Sequence, residues 1–268
     1  AEQGRIRKVA TDASEYRLLP MTVTPLTVTL AAAVTAVATG IGALPFFFAK
    51  NISRRNLGLA NGLAAGLMLA ASFMLLYEGA MRSLPRVALG ALIGAVSIIV
   101  SRHFLGGNGD EELHVGRLHG ADALQALMIV GVMTAHSFSE GVGVGVSYGE
   151  GDTLGVFITA AIAVHNIPEG LAISLVLIPR GVSVWKAAGW SVFSSLPQPL
   201  MALPAFLFVQ AFQPFLPVGL GFAAGAMLWM VGRELIPEAL EDARPRPVAI
   251  MVVLATAAMM AFQYFLKG

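Results

Sequence analysis

Long uncharged apolar runs, separated by short polar connections, constrain this chain more than any motif does. Leu18–Ala49, Leu57–Tyr77, Leu84–Leu105, Ala123–Ser147, Thr153–Ile178, Ala187–Val209, Pro214–Leu235 and Pro247–Leu266 each approach or exceed the length that crosses a bilayer as a helix. Only 12% of residues are charged, about half the share of a soluble domain. A backbone surrounded by lipid must satisfy its own hydrogen bonds, and with no alternating strand pattern the helix is the structure that does so. The expected fold is therefore all-α, a polytopic membrane protein of eight transmembrane helices. Residues 1–20 read as a polar, basic tail, residues 21–268 as the membrane domain, and Gly106–Gly120 as its one long polar loop.

Loop charge orients the helices. Lys50, Arg54, Arg55, Arg102, Arg117, Arg180, Lys186, Arg244 and Arg246 fall in the connections after the odd-numbered spans. Basic loops stay cytoplasmic, which puts the 106–120 loop inside and both termini outside or in a lumen. Arg5, Arg7, Lys8 and Arg17 in the tail pull the other way. An internal repeat is also visible. Gly62-Leu-Ala-Ala-Gly66-Leu-Met68 in span two resembles Gly221-Phe-Ala-Ala-Gly225-Ala-Met227 in span seven, and an odd number of crossings separates them. The two copies should run in opposite directions, as in an inverted repeat. The net charge of +1 and the lack of a basic patch exclude nucleic acid as a partner, and the absence of cysteine excludes disulfides and thiolate metal sites.

Two of the apolar runs carry chemistry. His136-Ser137-Phe138-Ser139-Glu140-Gly141 lies in span four, and His165-Asn166-Ile167-Pro168-Glu169-Gly170 in span five. Histidine at i and glutamate at i+4 share one helix face. A carboxylate at mid-membrane costs about 2.5–3.5 kcal/mol. A divalent cation offsets that cost, because two glutamates neutralise it and neutral imidazoles complete the shell. Such ligands suit Zn²⁺ and also accept Fe²⁺ or Mn²⁺. Asn166 and Ser137 stand beside the histidines as further oxygen donors. Pro168 removes an N–H and frees the Val164 carbonyl. One pair alone could be an interhelical hydrogen bond; two in consecutive spans favour a site.

The span-five string resembles the fifth-helix signature of the ZIP (Zrt/Irt-like protein) family of metal transporters, and His136, Glu140 and Gly141 are similar to the fourth-helix signature. The resemblance covers nearly the whole chain after the tail and is nearest the bacterial and plastid-type branch. It implies carriage of Zn²⁺, and of Fe²⁺, Mn²⁺ or Cd²⁺, into the cytoplasm, with the metal as transported substrate and no cofactor. It also implies a homodimer in the lipid bilayer and an elevator-like movement of one helix bundle against another. His136, Glu140, His165, Asn166 and Glu169 would be metal ligands. Ser137 and Ser139 replace the usual Asn and Pro, and Gln198 stands where many members have a glutamate, which weakens an adjacent second site. Met68 and Glu234 resemble positions near the path. The rival reading is an intramembrane metalloenzyme, a hydrolase or di-metal oxidase. A membrane zinc protease would be expected to show His-Glu-x-x-His, which the paired motifs lack. A third reading, an ion-coupled carrier of an organic substrate, predicts transport insensitive to chelators.

Overall fold

The computed structural model describes residues 23–48, 53–106, 122–178 and 181–267. The polar tail and nearly all of the 106–120 loop, with His114 and His119, lie outside them. Eight helices occupy the described residues. Helix α1, Pro25–Ile41, starts where Pro25 takes the first turn and the Thr24 hydroxyl accepts the Thr27 N–H at 3.1 Å. A tight turn at Leu44–Phe47 completes its span.

Arg54–Gly106 is continuous helix except at Ser83, where the backbone is extended at φ −164° and ψ 101°. Pro85 lacks the N–H that would bond the preceding turn, so the helix breaks ahead of it. The chain then folds back, since a Cβ on Gly79 would touch Val87. In one straight helix those residues lie roughly 12 Å apart. The two arms are α2 (54–82) and α3 (84–106), as the sequence separates them. Helix α4, Asp122–Glu150, turns at Gly151 into α5, Asp152–Leu177. The φ of +157° at Gly151 suits glycine. Helix α5 continues through Pro168.

Helix α6, Val184–Ala211, is interrupted between Ser194 and Pro197, where the Pro197-Gln198-Pro199 string restarts it. Helix α7, Gln213–Asp242, has a π-helical turn at Val231–Leu235. Helix α8 is Pro245–Lys267. Six stretches are long and apolar enough to cross a membrane, and one of them, 48 residues long, holds both α2 and α3. Helix α4, at 29 residues, exceeds the roughly 20 that a crossing needs. The chain is an all-α, multi-pass integral membrane protein.

The helices pack as two halves: α1, α4, α5 and α6 form one, and α2, α3, α7 and α8 the other. Glycines key each half internally. In the second half the repeated glycines do the same work twice. Gly62 and Gly66 of α2 lie against Val248 and Val252 of α8, while Gly221 and Gly225 of α7 lie against Val87 and Ala91 of α3. Gly58 meets Ala239 of α7 and Gly79 meets Leu220, so α2 and α7 are antiparallel, as the repeat requires.

Across the seam the contacts are of another kind. Gly143 of α4 faces the side chains of Ala223 and Met227 of α7, and Gly219 faces Val146. At one end of the seam Arg82 of α2 reaches Glu150 of α4 through Nε at 2.6 Å and a terminal nitrogen at 2.9 Å.

Candidate metal centre

Spacing of four residues places His136 above Glu140 on α4 and His165 above Glu169 on α5. The glycine that ends each motif seats its helix. A Cβ on Gly141 would stand 2.5 Å from the Gln198 carbonyl oxygen, so α4 meets α6 backbone to backbone where α6 is interrupted. Gly170 meets the Thr39 carbonyl in the same way and presses α5 onto α1. All four helices of the first half therefore converge on the two motifs.

His136, Glu140, His165 and Glu169 are buried, and one donor atom from each lies within 4.8 Å of every other. His136 Nε2 and His165 Nδ1 are each 3.3 Å from Glu140 Oε1, and the imidazoles stack with centroids 5.6 Å apart. None of these three atoms has a hydrogen-bond partner among the described residues, and neither oxygen of Glu169 has one. Buried polar atoms are nearly always paired, so five orphans facing one point mark a place for something with positive charge.

The opposite side of Glu140 is fully bonded. Gln198 Nε2 donates to its Oε2 at 2.7 Å. Gln198 Oε1 accepts from Asn166 Nδ2 at 3.1 Å and from the Thr35 hydroxyl at 2.5 Å. Asn166 Nδ2 also donates to the Thr35 carbonyl at 2.8 Å, and one turn along Thr39 shares a 2.8 Å hydroxyl bond with Ser195.

A family model described as "ZIP Zinc transporter" matches residues 105–263, more than half of the chain. The chain belongs to the ZIP family. A protein of Arabidopsis thaliana that carries the provisional name of zinc transporter is 48% identical over 238 residues, which cover 88% of this chain. The match spans only 38% of that plant protein. The zinc transporter GufA of Myxococcus xanthus is 34% identical over 75% of this chain and 84% of its own length. The zinc transporter ZIPB of Bordetella bronchiseptica is 32% identical over 83% of this chain and 76% of its own.

The remaining expected site residues of this ZIP member fall at different distances from the cluster. Asn166 Oδ1 and Ser137 Oγ are buried and unpartnered among the described residues, one position from each histidine. Gln198 touches Glu140 directly. Glu234 sits in the π turn of α7, close enough for its charge to act on His136 and Glu169. Met68 is 1% exposed within the main apolar core, together with Met227. His103 is exposed at the end of α3. Sequence reading passed over Thr35 and Thr39. Their signal was a threonine pair at i, i+4 in an otherwise apolar first span.

Proposed function

We propose that this ZIP family member carries divalent transition metals, Zn²⁺ first and Fe²⁺, Mn²⁺ and Cd²⁺ as alternatives, across a membrane into the cytoplasm. The observation that supports it is the convergence of two imidazole nitrogens and unpaired carboxylate oxygens inside a membrane half-bundle. Tetrahedral zinc with bonds of about 2.0–2.2 Å needs ligand atoms roughly 3.3–3.6 Å apart. The 3.3 Å separations around Glu140 Oε1 fit that edge. In this reading His136, Glu140, His165 and Glu169 hold the cation, Asn166 and Ser137 supply nearby oxygens, and Glu234 lies along the path. The zinc-transporter names of the relatives support the same substrate.

The wider picture belongs to the same proposal. The basic loops, with the 106–120 loop among them, face the cytoplasm, and both termini face the other side. Two copies pair in the bilayer, and the half-bundle that holds the cation moves against the other half. The metalloenzyme reading loses to family membership, since the family model and the relatives are named as transporters.

Zinc influx into proteoliposomes containing the purified chain tests the central claim, with Glu169→Gln prepared alongside. Zinc-selective influx that disappears in the variant is expected. Equal influx in both proteins would remove Glu169 from the site. No influx under an imposed zinc gradient, with no tight zinc binding, would leave the paired motifs structural.

A further inference from the structure

The argument rests on reading the His/Glu cluster as the cation site, and it concerns the polar chain on the far side of Glu140. The two ends of an amide look alike, and their identity is decided by partners. One partner here is unambiguous. The Thr35 main-chain carbonyl can only accept, so the Asn166 atom 2.8 Å away is the amino group, Nδ2. That same Nδ2 lies 3.1 Å from Gln198, so the Gln198 atom facing it is the carbonyl oxygen, Oε1. The remaining end of Gln198 is then Nε2, and it points at Glu140 Oε2 from 2.7 Å. The Thr35 hydroxyl lies 2.5 Å from Gln198 Oε1 and 2.7 Å from the Ala32 carbonyl. It has a single proton to give, and giving it to Gln198 reinforces the orientation that Asn166 already sets. Thr35, Asn166 and Gln198 are all fully buried, so no solvent competes for these bonds.

We propose that Gln198 is a positioning residue and not a ligand, locked as a donor to Glu140 by a relay that begins at the Thr35 backbone, and that the cluster therefore takes one cation per chain, on the Oε1 side of Glu140. The two oxygens of Glu140 are unlike. Oε1 is unpaired and faces His136 Nε2 and His165 Nδ1. Oε2 is occupied by an N–H, whose positive end repels a second cation that would bridge there. The only oxygen of the Gln198 side chain already receives two donors on the α1 and α5 side. Asn166 presents its free Oδ1, since its amino group is committed to the relay.

The relay makes a distinctive forecast for one conservative change. Gln198→Glu keeps the shape and can still accept from Asn166 and Thr35, but it sets a carboxylate oxygen where the N–H faced Glu140. Two opposed carboxylates favour a cation between them. Zinc bound per chain would be measured by equilibrium dialysis and elemental analysis of the detergent-solubilised protein. Each protein is compared with a partner carrying Glu140→Ala, so that zinc held elsewhere cancels. The expected difference is one zinc for the native chain, two for Gln198→Glu and one for Thr35→Val, the last with affinity lowered about tenfold. A difference of two in the native chain, or of one in Gln198→Glu, overturns the proposal. If Gln198→Glu does not fold, the native count still decides. A native difference of zero would instead remove the cluster itself as the cation site.

Discussion

At the residue scale, Glu140 is the hinge of the chemistry, since both imidazoles and the Gln198 amide meet on its two oxygens. His165→Ala removes one of four convergent donors and should lower zinc affinity at least about 100-fold while the protein still inserts and folds. Calorimetric zinc titration alongside size-exclusion chromatography checks both halves of that statement. Zinc and protons compete for the same carboxylates and imidazoles, so binding should release protons, and affinity should fall as pH is lowered. Titrations in two buffers of different ionisation enthalpy would count the protons. The His/Glu pairs were legible in the sequence because spacing within one helix is a local property. The relay was not, because Thr35 and Gln198 are 163 residues apart and meet only when α1 packs against α6. Read along the chain, Gln198 is a substituted ligand; folded, it is an oriented donor.

At the element scale, the motif glycines set how closely the helices approach. Gly141→Ala must push α4 away from α6 by nearly 1 Å, because its Cβ would stand 2.5 Å from the Gln198 carbonyl. Overpacking of this kind costs about 1–3 kcal/mol. A lowered thermal midpoint and lost zinc affinity are expected together. Gly189→Ala on α6 is the control: nothing lies within 4 Å of its Cβ position, and alanine is the better helix former. It should leave both quantities unchanged or raise the midpoint slightly. An equal loss in both variants would mean that helix propensity, and not close approach, governs these positions. The helices themselves were legible in the apolar runs, and so was the boundary between α2 and α3 at Arg82–Arg86. The π turn around Glu234 was not, since no local residue pattern distinguishes it from the flanking α-helix. Gly145 shows the converse case. Its pairing with Ser147 and Gly149 looks in sequence like a nucleophile turn, yet in the fold it seats α4 on Ala202 of α6.

At the scale of the whole molecule, the proposed function requires the half that holds the cluster to move against the half that does not. The chain has no cysteine, so a pair introduced at Arg82 and Glu150 would be its only thiols. Oxidising the Arg82→Cys, Glu150→Cys protein should stop zinc influx, and reducing it should restore influx. Full influx in the cross-linked form would show that the two halves need not part at this point. The inverted repeat was legible from eight residues in each copy. What it builds became visible only when Gly62 and Gly221 each received a neighbouring helix. The seam between the halves resembles a bearing, with stiff races on either side and a film of Val146, Ala223 and flexible Met227 between them. A bearing has no preferred stop of its own, so the resting position is set at its rim. There the Arg82–Glu150 pair, partly exposed, contributes at most about 1 kcal/mol, a population bias of roughly fivefold. Ionic strength at that face of the membrane therefore trims which posture the molecule idles in.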